Sequence, residues 1–221
     1  MIRFAFTFIA ACLLAGAAAA QDRPRLLAMG DSIMAWNSFS GRSIGHAAAR
    51  ALDADLTRVA RAGAQFTNDS GLGRAAGFDI RAQYPGGRFD VILINGGAND
   101  MGTDCDCRSC TPVLDALIAP HPTGEVPALL SQLTATGAEV IWVGYYKTAF
   151  SRAFLGCTPF FDEMEARLAR LAGRTDGLTF LDSEVAIDPR QRANFAADAL
   201  HPSPRGSARI AALVAQRIGG L

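Results

Sequence analysis

The amino-acid sequence predicts an α/β fold, built on a five-stranded parallel sheet with helices on both faces. Two observations lead to this prediction. Short apolar runs recur along the chain, and segments with apolar residues at helical spacing separate them. Strands that alternate with helices form parallel sheets, because each helix crosses a face of the sheet before the next strand begins in the same direction.

The first twenty residues are expected to lie outside this fold. Arg3 precedes an uncharged apolar run that ends in small residues, which is typical of a secretory signal peptide over residues 1–20, cleaved after Ala20. A membrane anchor is the rival interpretation, but the run is short and rich in alanine. A lipoprotein cleavage before Cys12 ranks low, because the apolar run continues well past it. Residues 21–221 are then expected to form a single domain.

Charge limits the classes of partner. The chain carries 21 basic and 21 acidic residues. Without Arg3, the part after the signal has 20 basic against 21 acidic residues, a formal charge of −1. This balance argues against nucleic acid or an anionic membrane surface as a dominant partner.

The expected strands are short, apolar and bounded by turn residues. Residues 91–95 form the strongest buried run, and the first strand stops at Gly30, where a residue without Cβ lets the backbone turn sharply. The five predicted strands are 26–29, 56–60, 91–95, 139–144 and 178–181.

The expected helices have apolar faces, and two of them have clear start signals. Thr158 and Ser203 each precede a proline, which predicts an N-cap followed by proline in the first turn. The predicted helices are 43–52, 126–135, 158–173 and a last helix that begins after Ser203.

Polar or small residues follow four of the five predicted strands. Ser32 follows the first strand, Gly63 the second and Asn99 the third, while Asp198 and His201 follow the fifth. The carboxyl ends of parallel strands meet at one edge of a sheet, which is where open α/β sheets bind ligands. Each residue alone also fits turn chemistry, but their convergence at one edge indicates a site.

These residue types suit acyl transfer. A serine hydroxyl needs a base, and the imidazole of His201 can take its proton at neutral pH and return it to the leaving group. Asp198, three residues earlier and one helical turn away, can fix the imidazole tautomer. The oxyanion of the intermediate needs donors, which the Ser32 N–H, the Gly63 N–H and the Asn99 amide can supply. Asp31 is expected to brace the turn.

Aromatic residues near this edge predict an acyl site. Trp36, Phe39, Tyr145 and Tyr146 follow the first and fourth strands and favour a substrate-binding wall that accepts apolar groups. A cluster of tyrosines at the edge of the core would have the same pattern. His46 and His121 are expected to be structural or solvent-facing.

Four cysteines remain after the signal, Cys105, Cys107, Cys110 and Cys157. An even number in an exported chain predicts two disulfides, for which three pairings exist. Zinc ligation is the alternative. We expect Cys157 to pair with one of the other three and so to hold a lid-like loop across the site, with the remaining two paired locally.

Four stretches together resemble the sequence blocks of the SGNH (GDSL) hydrolases. They are residues 30–33, Gly63, residues 97–100 and residues 198–202, in the order and at the spacing of the family. Two departures are small. Ile33 stands where leucine is usual, and the asparagine often found before the glycine of the second block is missing. A true α/β-hydrolase is excluded, because the serine does not lie in a G-x-S-x-G elbow.

The resemblance implies a flavodoxin-like three-layer α/β/α sandwich with strand order 2-1-3-4-5. It also implies a triad of Ser32, His201 and Asp198 and an oxyanion hole from Ser32, Gly63 and Asn99. The activity it implies is hydrolysis of carboxylic esters without a metal or other cofactor, on short acyl, aryl or lysophospholipid-type esters of small molecules, lipids or glycans. An acyltransferase or polysaccharide O-deacetylase with the same triad is the alternative, and a non-catalytic glycan- or lipid-binding module is a second one.

Overall fold

The computed structural model describes residues 23–220. Five parallel strands form one sheet in the order β2-β1-β3-β4-β5. Leu26 pairs with Leu56 on one side and with Val91 on the other, which places β1 between the second and third strands. The strands are β1 (Arg25–Ala28), β2 (Asp55–Arg58), β3 (Val91–Ile94), β4 (Glu139–Val143) and β5 (Leu178–Leu181).

Eight α-helices surround the sheet within these residues. The four short ones lie in the segments after strands, and the four longer ones connect strands or close the chain. They are α1 (Ser32–Ala35), α2 (Ile44–Ala51), α3 (Gly71–Ala75), α4 (Ala98–Asp104), α5 (Thr111–Leu117), α6 (Glu125–Thr134), α7 (Thr158–Ala172) and α8 (Pro204–Gly219).

The helices divide between the two faces of the sheet. Helices α2 and α8 pack on each other, and α5 packs on α6 and α7. Right-handed crossovers explain this division, because the connection from β1 to β2 runs in the opposite direction from those that lead through β3, β4 and β5. The central strand β3 is buried at every position, as expected of a strand covered on both sides.

The predicted fold class and strand order are confirmed, and several boundaries need correction. Strand β2 covers residues 55–58 and not 56–60. Cys157, not Thr158, is the N-cap of α7, so its proline lies one position later in the first turn. The capping prediction at Ser203 is confirmed, since its Oγ accepts a hydrogen bond from the Gly206 N–H at 3.1 Å. The region after β3, predicted as a cysteine-rich loop, contains α4 and α5.

Two disulfides link the four described cysteines. Cys105 pairs with Cys110, and Cys107 pairs with Cys157 across 50 residues. The prediction of one local pair and one long-range pair through Cys157 is confirmed. None of the helices within residues 23–220 is both long and apolar enough to cross a bilayer. The predicted signal peptide lies outside the described residues.

Candidate active site

Ser32 begins helix α1 directly after the first strand. The backbone turns at Gly30, which has a φ of +120°, and Asp31 caps the helix by accepting the Ile33 N–H at 2.9 Å. We call residues 29–32 the Ser32 loop. The loop ends at Ser32, which is also the first residue of α1 and follows the carboxyl end of β1.

Side chains from three other segments hold the Ser32 loop. The Gly30 N–H donates to Gln83 Oε1 at 2.6 Å, and Gln83 Nε2 donates back to the Gly30 carbonyl at 3.0 Å. The Asp31 N–H donates to Asn95 Oδ1 at 3.1 Å, and Asn95 Nδ2 donates to Asp31 Oδ1 at 2.8 Å. The Tyr145 hydroxyl donates to Asp31 Oδ2 at 2.6 Å. We call Gln83, Asn95 and Tyr145 the clamp.

The clamp is a buried polar network. Asp31 is 1% exposed and Tyr145 is 9% exposed. Burial raises the pKa of Asp31, and hydrogen bonds from Tyr145, Ile33 and Asn95 oppose that rise. Burial beside this carboxyl also raises the pKa of Tyr145 well above its ordinary value, so the phenol keeps its proton and donates. The expected bracing role of Asp31 therefore has a structural basis.

His201 lies in a turn on the other side of the edge. Its Nδ1 is 2.6 Å from Asp198 Oδ2, and Asp198 Oδ1 accepts the N–H groups of Leu200 and His201 at 3.0 Å each. The expectation that one helical turn separates the two residues is wrong. Residues 196–202, which we call the His201 loop, are not helical, and Ala199 has a φ of +61°.

Asp198 is suited to hold the imidazole as a carboxylate. Partial burial acts to raise its pKa, but hydrogen bonds from the His201 ring and from two backbone N–H groups outweigh that effect, and the pKa lies below its ordinary value. A carboxylate on Nδ1 fixes the proton there and leaves Nε2 as the basic nitrogen. This arrangement is the one that a general base requires.

The three expected oxyanion donors differ in how the structure holds them. Within residues 23–220, the N–H groups of Ser32 and Gly63 have no hydrogen-bond acceptor. Asn99 Nδ2 donates to the Ala64 carbonyl at 2.9 Å, and an amide nitrogen carries a second proton for a ligand. This bond ties the start of α4 to the loop that carries Gly63.

Asp100 completes the connection between these two segments. Its Oδ1 accepts the N–H groups of Phe66 and Thr67 at 2.8 and 2.9 Å, and also the Thr67 hydroxyl. Burial raises the pKa of Asp100 to about 6, although these hydrogen bonds act to lower it. The Asn-Asp pair at the start of α4 therefore holds the loop after β2 in place.

One cavity of about 300 Å³ collects most of the predicted site residues. Ser32, His201, Asn99, Tyr145 and Tyr146 all line it. Asp198 reaches it only through His201. Trp36 and Phe39 are not among the lining residues, so the structure does not bring these two predicted residues to the wall. Gly63 does not line it either, but its neighbour Ala64 accepts the hydrogen bond from Asn99, which does.

The Tyr146 hydroxyl donates to the Leu200 carbonyl at 3.1 Å, next to His201. Trp36 lies instead against the His201 ring, with ring centroids 3.8 Å apart and planes 6° apart. Tyr145 and Tyr146 thus combine contact with the cavity and support of the Ser32 loop and the His201 loop.

The rest of the cavity wall combines apolar and charged groups. Phe154, Leu155 and Phe161 come from α7 and the segment before it, which the disulfide of Cys107 attaches to the region after β3. Lys147 lies 3.1 Å from Asp162 and 3.3 Å from Glu184, both also in the wall.

Glu165 of α7 has an unusual environment. Its Oε1 accepts the Tyr145 N–H at 2.6 Å. Burial raises its pKa to about 8 against the effect of this bond, and Asp182, Glu184 and Asp162 add to the rise.

Sequence reasoning missed three residues that shape the site. Asn95 offered a weak signal, because it is a polar residue at the end of a fully apolar strand. Gln83 and Glu165 offered none, since each meets the site through contacts between segments far apart in the chain.

A family model for the GDSL-like lipase/acylhydrolase family matches residues 28–209. No curated protein matches the chain. Solved structures share its fold at low identity. One is a catalytic mutant of an acetylxylan esterase from Geobacillus stearothermophilus, with 18% identity, a TM-score of 0.64 and coverage of 89% of this chain and 94% of that one.

Two further structures are similar. A lipase from a goat rumen metagenome has 16% identity, a TM-score of 0.61 and coverage of 89% and 97%. A member of the lipolytic G-D-S-L family from Veillonella parvula has 15% identity, a TM-score of 0.60 and coverage of 89% and 99%. At these identities the similarity establishes the fold alone.

Proposed function

Since the chain belongs to the GDSL-like lipase/acylhydrolase family and is a carboxylic ester hydrolase, we propose that it works through an acyl-enzyme on Ser32. The observation that carries this proposal is the shared cavity. Ser32 and His201 line it together, and Asp198 holds the opposite nitrogen of the imidazole at 2.6 Å. A nucleophile, a base and a group that orients the base are the parts that acyl transfer needs.

The proposed reaction has two halves. Ser32 Oγ attacks the ester carbonyl and gives its proton to His201 Nε2, and the N–H groups of Ser32 and Gly63 with the Asn99 amide stabilise the oxyanion. The tetrahedral intermediate then breaks its ester C–O bond, and the leaving alcohol takes the proton from His201. Water repeats the sequence on the acyl-enzyme, which releases the carboxylic acid and restores Ser32.

The cavity favours a small acyl group. A volume of about 300 Å³ is at the lower end of ligand pockets. Its wall contains apolar side chains such as Phe154 and Phe161, but also four carboxyl groups and Lys147. We therefore propose short acyl esters, including acetyl groups on larger alcohols, as the substrates, and expect rates to fall as the acyl chain lengthens.

The experiment is hydrolysis of an aryl ester series from acetyl to dodecanoyl by wild type and by Ser32→Ala. We expect the fastest turnover on the shortest chains and a loss of about 10³-fold or more in kcat for the variant, because removing a triad member leaves only residual catalysis. Ser40→Ala, an exposed serine in the following loop, is the matched control and should keep wild-type rates. Equal activity of Ser32→Ala and wild type would contradict the mechanism.

We also propose that the protein is exported, with residues 1–20 removed. Two disulfides support this proposal, because such bonds persist in oxidising compartments. N-terminal sequencing of the protein from a bacterial host with an export pathway should begin at Gln21. A start at Met1 would contradict the proposal.

A further inference from the structure

The indole of Trp36 stacks face to face on the His201 imidazole. The ring centroids are 3.8 Å apart and the planes differ by 6°. Trp36 is not one of the residues that line the cavity. One face of the indole therefore lies against the proposed base, and the indole is not part of the cavity wall.

Trp36 also belongs to the segment that carries the nucleophile. It is the C-cap residue of α1, and its N–H donates to the Ser32 carbonyl at 2.8 Å. The next residue, Asn37, donates through Nδ2 to the Pro202 carbonyl at 2.8 Å. One short segment therefore starts at Ser32, covers one face of His201 and holds the residue that follows His201.

The remaining contacts of the imidazole leave one motion free. Asp198 holds the ring through the single atom Nδ1, and a ring held at one atom can still tilt about that bond. A parallel aromatic surface at van der Waals distance removes this tilt. Besides His201, the ionisable side chains that line the cavity are Asp31, Tyr145, Tyr146, Lys147, Asp162, Glu165 and Glu184. None of these is stacked on the ring, so Trp36 alone fixes its plane among the described aromatic contacts.

We infer that Trp36 is a positioning residue for the general base. Its indole fixes the plane of the His201 imidazole so that Nε2 faces Ser32, and its π-face stabilises the imidazolium that forms when the serine proton is transferred. This inference rests on the proposed function, because it assigns Trp36 a part in the same proton transfer. It replaces the expectation that Trp36 binds substrate.

The test compares Trp36→Leu and Trp36→Phe with wild type. Leucine removes the flat surface and phenylalanine keeps a smaller one. We expect kcat to fall roughly 10-fold for Trp36→Leu and about 2-fold for Trp36→Phe, with KM on a short aryl ester within about 2-fold of wild type in both. Phe39→Leu is the matched control, since Phe39 is fully exposed three residues further on, and it should match wild type.

A second readout uses a small phosphonofluoridate, which labels an activated serine without filling an acyl pocket. The rate of Ser32 labelling, followed by mass spectrometry, should fall in the same order as kcat. Melting curves establish that each variant is folded at the assay temperature, and if Trp36→Leu is not, Trp36→Met takes its place with the same expected loss.

Several outcomes would overturn the inference. A rise in KM at unchanged kcat would make Trp36 a substrate contact. An equal loss of kcat in Trp36→Leu and Trp36→Phe would show that stacking does not position the base. A rate of Ser32 labelling equal to that of wild type would show the same. A wild-type protein that neither cleaves esters nor reacts with the phosphonofluoridate would instead contradict the proposed function, which keeps the two failures distinguishable.

Discussion

The two loops that meet at the cavity are held in different ways. The Ser32 loop lies in the core, where Asp31 is 1% exposed and the clamp residues come from three distant segments of the chain. The His201 loop lies at the surface, where the side chain of Asp198 is 35% exposed and, within residues 23–220, accepts hydrogen bonds only from residues within three positions of it. Tyr146 and Asn37 hold backbone carbonyls of this loop and not the side chain of Asp198.

This difference predicts how each loop responds to substitution. A buried polar group that loses its partner retains the full cost of desolvation, whereas an exposed one is hydrated again by water. Changes in the Ser32 loop and its clamp should therefore lower stability and activity together. Changes in the His201 loop should lower activity while the protein remains folded.

The largest effect is expected from Asp198→Asn in the His201 loop. Asparagine keeps an oxygen for the N–H groups of Leu200 and His201, but its NH₂ group cannot accept the Nδ1 proton, so the imidazole takes the wrong tautomer. We expect kcat to fall about 10³- to 10⁴-fold. The melting temperature should stay within about 2 °C of wild type.

Asp188→Asn is the matched control for this prediction. Asp188 is an exposed aspartate that accepts a backbone N–H two residues on, at Arg190, and it lies away from the cavity. It should keep full activity. A strong loss of stability in Asp198→Asn would show that the His201 loop contributes to stability as much as the Ser32 loop does. The proposed difference between the two loops would then be wrong.

The next largest effect is expected from Gly30→Ala in the Ser32 loop. A Cβ at this position would lie 2.5 Å from the Asn95 carbonyl oxygen and closer still to Asn95 Oδ1, and the φ of +120° is strained for any residue with a side chain. We expect the free energy of unfolding to fall by about 3 kcal/mol or more, measured by urea denaturation.

Gly63→Ala provides the contrast for Gly30. Its Cβ would meet nothing within 4 Å, so only the strain of a φ of +82° remains, about 1–2 kcal/mol. A Gly30→Ala variant no less stable than Gly63→Ala would refute the close packing of the Ser32 loop.

Tyr145→Phe tests the clamp by removing one oxygen. The hydroxyl donates to Asp31 Oδ2 at 2.6 Å and accepts the Ala98 N–H at 3.0 Å, so its loss leaves two buried groups without a partner. We expect a loss of about 1–3 kcal/mol in the free energy of unfolding, together with a lower kcat.

Tyr84→Phe is the control, because the Tyr84 hydroxyl donates to a carbonyl in an exposed turn, that of Gly87. It should cost less than about 0.5 kcal/mol. A Tyr145→Phe protein that lost activity but no stability would assign Tyr145 to substrate binding alone.

The same contrast explains what the sequence could predict. The carboxyl ends of parallel strands meet at one edge, so strand assignment alone was enough to bring Ser32, Asn99 and His201 together. The parallel sheet could also be predicted, because the periodicity of apolar residues marks strands that alternate with helices. The three-residue spacing also predicted the pairing of Asp198 with His201, although it assumed a helical turn and the connecting turn is not helical.

The parts that the sequence could not predict depend on contacts between distant segments. Gln83 reaches Gly30 across 53 positions, and no periodicity or spacing marks it as a partner. Trp36 was expected in the cavity wall, but the end of α1 at this residue directs the indole onto His201. The direction in which a short helix ends is set by packing, which a one-dimensional pattern does not contain.

The smallest effect is expected from Glu165→Gln. The stability that Glu165 contributes at the Ser32 loop and the stability that Asp198 contributes at the His201 loop change with pH in opposite directions. Glu165 accepts the Tyr145 N–H and so extends the clamp. Its pKa in the folded protein, about 8, lies above the ordinary value of 4.5, so the unfolded chain releases this proton first. Its contribution to stability therefore decreases as pH rises from about 4.5 to about 8. Asp198, with its lowered pKa, contributes stability that is lost only as pH falls.

Glutamine resembles the protonated form of Glu165 and keeps an oxygen for the Tyr145 N–H. We expect the variant to melt with wild type at pH 5 and at least ~2 °C above it at pH 9. Glu163→Gln on the same helix is the control, because the hydrogen bond from Arg167 lowers the pKa of Glu163, so that variant should gain nothing at pH 9. Equal melting of Glu165→Gln and wild type at pH 9 would mean that water reaches this carboxyl, and the buried clamp would then end at Tyr145.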